Sequence, residues 1–245
     1  MAILLLLLAL LLPGMAAAQD LQTIPRGVLR PGVGSNDPRQ AVPGTTDPWR
    51  SLGRVQTELG SRCTGALIGS RHVLTAAHCL VAPRRDRLVQ ARSVHFLLGY
   101  DRGTAVAQSR VVAFTVAPGF RVDPLGPAAA DWAVLTLENA VGTIERALPL
   151  LRDPPPARTP LMLGGYQQDR PEVLLADTGC RALGLENTRD GPLLRHDCAG
   201  TRGLSGAPVL ARGAGGRWSI AGVVSFTHPD MALGGAVPVG SIRLP

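Results

Sequence analysis

Leu74-Thr75-Ala76-Ala77-His78-Cys79 ends an apolar run with a histidine set between two alanines and a cysteine. The small side chains let a helical turn pack tightly while the imidazole faces outward. The cysteine offers a covalent anchor beside a ring whose orientation must be fixed. Alone, such a histidine reads as a partly buried structural residue. Two residues further along change that reading. Asp131 heads the strand-like run Asp131-Trp132-Ala133-Val134-Leu135, and Ser205 stands in the turn Gly203-Leu204-Ser205-Gly206-Ala207-Pro208. Glycines around a serine permit a tight turn that exposes its hydroxyl, which becomes a nucleophile once a base takes its proton. The Gly203 and Ser205 N–H groups can then face one point and stabilise an oxyanion. Asp131 is suited to hold the His78 tautomer and stabilise the imidazolium. Asp101 and Asp123 compete for that role on sequence grounds.

Around these residues the chain reads as scaffold. Regular structure is expected from near Trp49, beginning with Leu52 to Gln56. Short apolar runs then recur between Gly, Pro, Asn or Asp: Cys63 to Ile68, His72 to Leu74, Ser93 to Leu98, Ala105 to Val116 and Trp132 to Leu137. After a gap come Leu161 to Leu163, Glu172 to Ala176, Pro192 to His196, Pro208 to Leu210, Ser219 to Phe226 and Gly235 to Val239. Runs of this length, without a long amphipathic helix, indicate an all-β sandwich or barrel. Arg152-Asp153-Pro154-Pro155-Pro156 cannot join a central strand. We take residues 152–160 as a linker between β units 48–151 and 161–245; a long surface loop within one barrel is the alternative. Residues 19–47, with Pro25, Pro31, Pro38 and Pro43, read as an irregular N-terminal segment or a propeptide.

The 245 residues suffice for one large or two small cores. The net charge of +7 comes from 25 basic residues, every one an arginine. They are scattered, the densest group being Arg84-Arg85 with Arg87, which reads as a solvated loop. Aromatic residues make up only 4% of the chain, too few to interleave a basic face, so no nucleic-acid partner is expected. Residues 3–12 are almost pure Leu, Ile and Ala and run into Ala16-Ala17-Ala18. The stretch is short for a bilayer span and reads as a signal peptide, residues 1–18, cleaved after Ala18. The expected product is a secreted monomer, extracellular or periplasmic, with no stable membrane anchor. Four cysteines in an exported chain imply two disulfides. Three pairings are possible; the local ones are Cys63–Cys79 and Cys180–Cys198. Each would contribute about 3 kcal/mol by loop entropy. Zinc is the competing reading, but no C-x-x-C occurs, and no metal is expected.

Thr75-Ala76-Ala77-His78-Cys79 with Cys63 upstream resembles the histidine motif of the chymotrypsin-like (trypsin-like) serine proteases. Asp131-Trp132-Ala133-Val134-Leu135 and Gly203-Leu204-Ser205-Gly206-Ala207-Pro208 resemble that family's aspartate and nucleophile motifs, and Pro48-Trp49 and Ser225-Phe226 match similar pairs. The resemblance covers residues 48–240 and points to the bacterial glutamyl-endopeptidase-like branch. It implies two six-stranded Greek-key β-barrels with the active site in the cleft between them. It also implies a serine endopeptidase that needs no cofactor and cuts polypeptide substrates through an acyl-enzyme, with His78, Asp131 and Ser205 catalytic and Gly203 and Ser205 forming the oxyanion hole. A Cys63–Cys79 bridge would brace His78, and Ser225 would lie beside the triad.

By the same analogy the substrate pocket is formed by Ala199, Gly200, Ser225, Phe226 and Thr227, with Ala236 nearby. No acidic residue stands at its base, and Val224 occupies the place of the histidine of glutamyl-specific members; a small or medium apolar P1 residue is expected. His196 and His228 read as surface histidines. Leu204 stands where animal digestive members carry an aspartate that pairs with a newly cut N-terminus, so that activation mode is not expected. A protease-fold binding module with little or no activity is the alternative function. An α/β-hydrolase needs an acid and then a histidine after its serine, whereas His228 precedes Asp230.

Overall fold

The apolar runs do become strands, fifteen of them among the described residues, which are 31–83 and 87–244 of the computed structural model. The expected signal segment and Arg84-Arg85 lie outside these residues. In chain order the strands are β1 (Gln40–Ala41), β2 (Leu52–Thr57), β3 (Arg62–Leu67), β4 (His72–Thr75), β5 (Val94–Leu98), β6 (Ala107–Val116), β7 (Arg121–Val122), β8 (Leu125–Gly126) and β9 (Ala133–Leu137). Then follow β10 (Pro160–Tyr166), β11 (Leu174–Thr188), β12 (Gly191–His196), β13 (Pro208–Arg212), β14 (Trp218–Thr227) and β15 (Gly234–Pro238).

Two closed sheets result. The first runs β2-β3-β4-β9-β6-β5 and returns to β2. The second runs β11-β10-β13-β14-β15-β12 and closes through β11–β12 pairing, with β1 added to the outside of β11. Closure removes the unpaired edges that a dozen short strands would otherwise present. β7 and β8 form a small separate hairpin. The fold is the chymotrypsin-like pair of barrels.

Each barrel fills its interior from one face of its strands: Phe96, Leu98, Leu135 and Leu137 in the first, Leu161, Leu163, Leu194 and Val209 in the second. A third cluster joins them. It brings Trp49, Leu52, Leu74, Trp132 and Val134 of the first half against Met162, Tyr166, Leu210 and Val237 of the second. Strands at this seam are buried on both faces, as β10 is along nearly all its length. They therefore read as continuous apolar runs instead of alternating ones.

Some details differ from the sequence reading. Ordered structure begins before Trp49, because β1 pairs Gln40 with Ala176 and Ala41 with Leu175. The run expected over Glu172 to Ala176 is the start of a much longer strand. β11 continues through Asp177-Thr178-Gly179, pairs first with β10, and then bends away to pair with β12. Asp177 looks like a turn residue, but its carboxylate accepts from the Gly179 and Ala199 N–H groups at 3.0 and 2.9 Å, which fastens an irregular stretch of strand. The segment before the triple proline is tied to β14 through Leu151 N–H to Ile220 carbonyl, 2.8 Å.

Candidate active site

His78 lies on a single 3₁₀ turn, Ala77–Leu80, at the end of β4. Ala76 and Ala77 are fully buried, while the histidine side chain keeps 23% of its surface open. Small residues let the turn sink into the core and leave only the ring outside. The Cys63–Cys79 disulfide ties this turn to β3, and Cys180–Cys198 forms the second bridge.

Asp131 follows a second 3₁₀ turn, Ala128–Ala130, and precedes β9, which pairs with β4. That pairing brings the carboxylate beneath the histidine. Its Oδ2 lies 2.6 Å from His78 Nδ1, and its Oδ1 accepts the His78 backbone N–H at 2.9 Å. Ser225 on β14 donates its hydroxyl to the same Oδ2 at 2.7 Å. Three donors compensate a carboxylate that is only 4% exposed. An ionised carboxylate only accepts, so Nδ1 carries the proton and Nε2 presents its lone pair. Asp101 and Asp123, the competing carboxylates, sit on exposed turns.

Ser205 is partly exposed in the loop 201–207 between β12 and β13. The loop's carbonyls are tied back in sequence. The Arg202 carbonyl accepts from Gln168 N–H at 2.7 Å, the Gly203 carbonyl from Thr64 Oγ1 at 3.0 Å, and the Leu204 carbonyl from Ala207 N–H at 2.9 Å. In a trans peptide the N–H points opposite its carbonyl. Anchoring the Arg202 and Leu204 carbonyls therefore turns the Gly203 and Ser205 N–H groups the other way. Neither donates to any group among the described residues. Gly203 has φ +92° and Gly206 φ +78°; a Cβ on the first would stand 2.4 Å from the Tyr166 carbonyl oxygen, and one on the second 2.2 Å from Thr75 Oγ1. The contact at Gly206 brings the serine loop against Thr75-Ala76, immediately before His78.

A family model described as a trypsin-like peptidase domain matches residues 63–218, which contain His78, Asp131 and the serine loop 201–207 but not Ser225. The chain belongs to the trypsin-like peptidase family. A solved Glu endopeptidase, in complex with MPD, has the same fold: TM-score 0.68 at 21% identity, covering 83% of this chain and 92% of that one. A thermostable serine protease, AL20, from an extremophilic microorganism aligns with TM-score 0.59 at 20% identity, covering 77% of this chain and 91% of that one.

In this trypsin-like domain the expected pocket residues fall on two neighbouring segments. Ala199 and Gly200 precede the serine loop, and Ser225, Phe226 and Thr227 end β14, whose Val224 pairs with Ala236. Ala199 is fully buried, and Phe226 is partly exposed with its ring under the Arg195 guanidinium at 5.2 Å. The Gly200 N–H donates to the Gly32 carbonyl at 2.9 Å, so the N-terminal segment borders the expected pocket residues. His228 is half-buried. His196 is no surface residue: it is fully buried on β12, and desolvation, helped by the Arg195 charge, pushes its pKa down to about 4. Its place in β12, between Ala182 on β11 and Gly234 on β15, is what carries it inside.

Sequence reasoning missed two contributors, Thr64 and Arg39. Thr64 on β3 is fully buried and reaches across the seam: Oγ1 donates to the Gly203 carbonyl and accepts the Tyr166 N–H at 2.9 Å, while its own N–H donates to the Ser205 carbonyl at 2.9 Å. Arg39 is buried and bonds Asp37, Asp169 and, at 2.5 Å, Gln167 Oε1, which also accepts the Thr201 N–H at 2.9 Å. Burial opposes the Arg39 charge, but the bonds and charges of Asp37 and Asp169 outweigh it and raise its pKa. Leu204 is fully buried in the second barrel's core. An apolar anchor thus holds the position where animal relatives use an ion pair.

Proposed function

We propose that the chain is a secreted serine endopeptidase that works through His78, Asp131 and Ser205. The observation that carries this reading is the Asp131 carboxylate, which takes His78 Nδ1, the His78 N–H and the Ser225 hydroxyl at once and so fixes both tautomer and ring plane. Nε2 removes the Ser205 proton as Oγ attacks the scissile carbonyl. The Gly203 and Ser205 N–H groups receive the oxyanion, with the first donor's loop already oriented before substrate arrives. The His78 imidazolium then protonates the leaving amine. The same base activates water, which releases the acyl group from Ser205 Oγ and regenerates the enzyme.

Ala199, Gly200 and Ser225–Thr227, none of them acidic, are read as the P1 site, which takes a small or medium apolar side chain. Export through residues 1–18 accords with two disulfides among the described residues. The working unit comprises both barrels, 48–151 and 161–245, with the catalytic groups drawn from each.

A fluorophosphonate probe tests the reaction. The folded wild type is expected to label at Ser205 and to lose peptidase activity stoichiometrically, and Ser205→Ala is expected to do neither. Absence of label on the folded wild type, or equal label on Ser205→Ala, overturns the reading and leaves a binding module in its place.

A further inference from the structure

A pocket of about 290 Å³ is lined in part by Gly203. Arg54, Arg62 and Arg202 line it together with Tyr166, Gln168 and Gly203 itself, and no aspartate or glutamate is among its lining residues. Arg62 and Arg202 are exposed, and neither has an ion pair among the described residues. Arg202 is fixed in place by its carbonyl's bond to Gln168 N–H.

Arg54 is the more telling member. Its side chain is only 8% exposed, its guanidinium stacks 3.5 Å from the Tyr100 ring centre, and its Nε has no hydrogen-bond partner. The nearest carboxylate, Glu172, is 3.6 Å from Nη1, half-exposed, and already takes the Tyr100 hydroxyl. Arg54 Nε is shut off from the surface, so Arg54 adds positive charge behind the exposed Arg62 and Arg202, which supply the accessible donors. Such a set suits a carboxylate arriving from outside.

The pocket's position decides what brings that carboxylate. Residues 199–200 and 225–227 take the P1 side chain, and none of them borders this pocket. Arg62 adjoins Cys63, whose disulfide partner Cys79 adjoins His78. His78 must reach the leaving amine, so this flank of Gly203 is the side on which the leaving chain departs.

We propose that this pocket is a primed-side subsite that selects polypeptides with Asp or Glu among the first two residues after the scissile bond. The proposal rests on the endopeptidase reading above.

The test uses the full protein and sets of peptides identical except for Glu, Ala or Arg at those two positions. Wild type is expected to show kcat/KM about tenfold higher for Glu than for Ala, with Arg lowest, as one partly desolvated charge pair provides. Arg62→Ala and Arg202→Ala are each expected to shrink the Glu-to-Ala ratio, and Arg62→Glu with Arg202→Glu to invert the Glu-to-Arg order. In parallel, Ser205→Ala is titrated with a fluorescent peptide carrying Glu at those positions and with its Gln counterpart, and tighter binding of the Glu peptide is expected. Equal kcat/KM and equal binding, in an enzyme that the fluorophosphonate labels, overturn the subsite and leave the endopeptidase standing. No label and no cleavage overturn the endopeptidase reading and, with it, the primed-side assignment.

Discussion

Ser225 shows how much can hang on one hydroxyl. It stands beside the proposed P1 pocket, yet its hydroxyl is turned to Asp131 as one of the three donors that hold that carboxylate. Ser225→Ala removes a hydrogen bond to a charged group, which is generally worth about 1.5–3 kcal/mol. We expect kcat to fall by about tenfold or more on that basis, with KM nearly unchanged and Ser205 still labelled, but more slowly. Thr64→Val keeps the shape and deletes the hydroxyl. It strands the buried Gly203 carbonyl and Tyr166 N–H, and melting should show a loss of about 2–4 kcal/mol. His196 gives a pH signature. Its folded pKa lies near 4, below the usual histidine value. Between those values the unfolded chain binds more protons, so stability falls as pH drops from about 6.5 towards 4, by up to about 3 kcal/mol. His196→Gln should flatten that part of a stability-against-pH curve; an unchanged slope would show that other groups set it. The pairing of His78 with Asp131 was legible because each lies in a local motif. Thr64 was not, because its bond to Gly203 spans 139 residues and nothing beside it in sequence announces it.

At the scale of elements, the segment before the first barrel carries more than its composition suggests. Its prolines read as irregular, and mostly it is, but Arg39 is buried and links β1's neighbourhood to the loop that carries Ser205 through Gln167 and Thr201. Arg39→Ala removes the guanidinium's bonds to Asp37, Asp169 and Gln167, and breaking one side of a buried pair costs about 3–5 kcal/mol. We expect a lower melting temperature together with a kcat loss, and Arg39→Lys should recover little, since a single ammonium cannot reproduce the fork of bonds. A variant that melts early yet keeps full kcat would confine Arg39 to a structural role. Strand positions were mostly readable from short apolar runs. β11 was underestimated because turn-like Asp177-Thr178-Gly179 interrupts it, and one of the two bonds that hold the Asp177 carboxylate comes from Ala199, far along the chain.

For the whole molecule, the third core cluster matters most. Trp49 and Trp132 of one barrel share it with Met162, Tyr166 and Val237 of the other. Two barrels that share buried side chains have no independent boundary at which to open. Urea unfolding followed by far-UV circular dichroism and by tryptophan fluorescence should therefore give coincident curves. Two separated transitions would mean that the seam contributes little. The two-barrel plan was legible from strand spacing and the proline break, while the seam was not, since apolar runs do not say which face meets which partner.

The serine loop itself has two unlike ends. Leu204 holds it by contact with apolar neighbours, while Arg202, two residues earlier, offers a bare charge to the solvent-filled pocket. Dissolved ions screen the second and leave the first untouched or slightly strengthened. On the proposed reading, ionic strength becomes a dial that separates turnover from choice: in brine the loop keeps its anchor, while the preference for an acidic residue after the scissile bond fades.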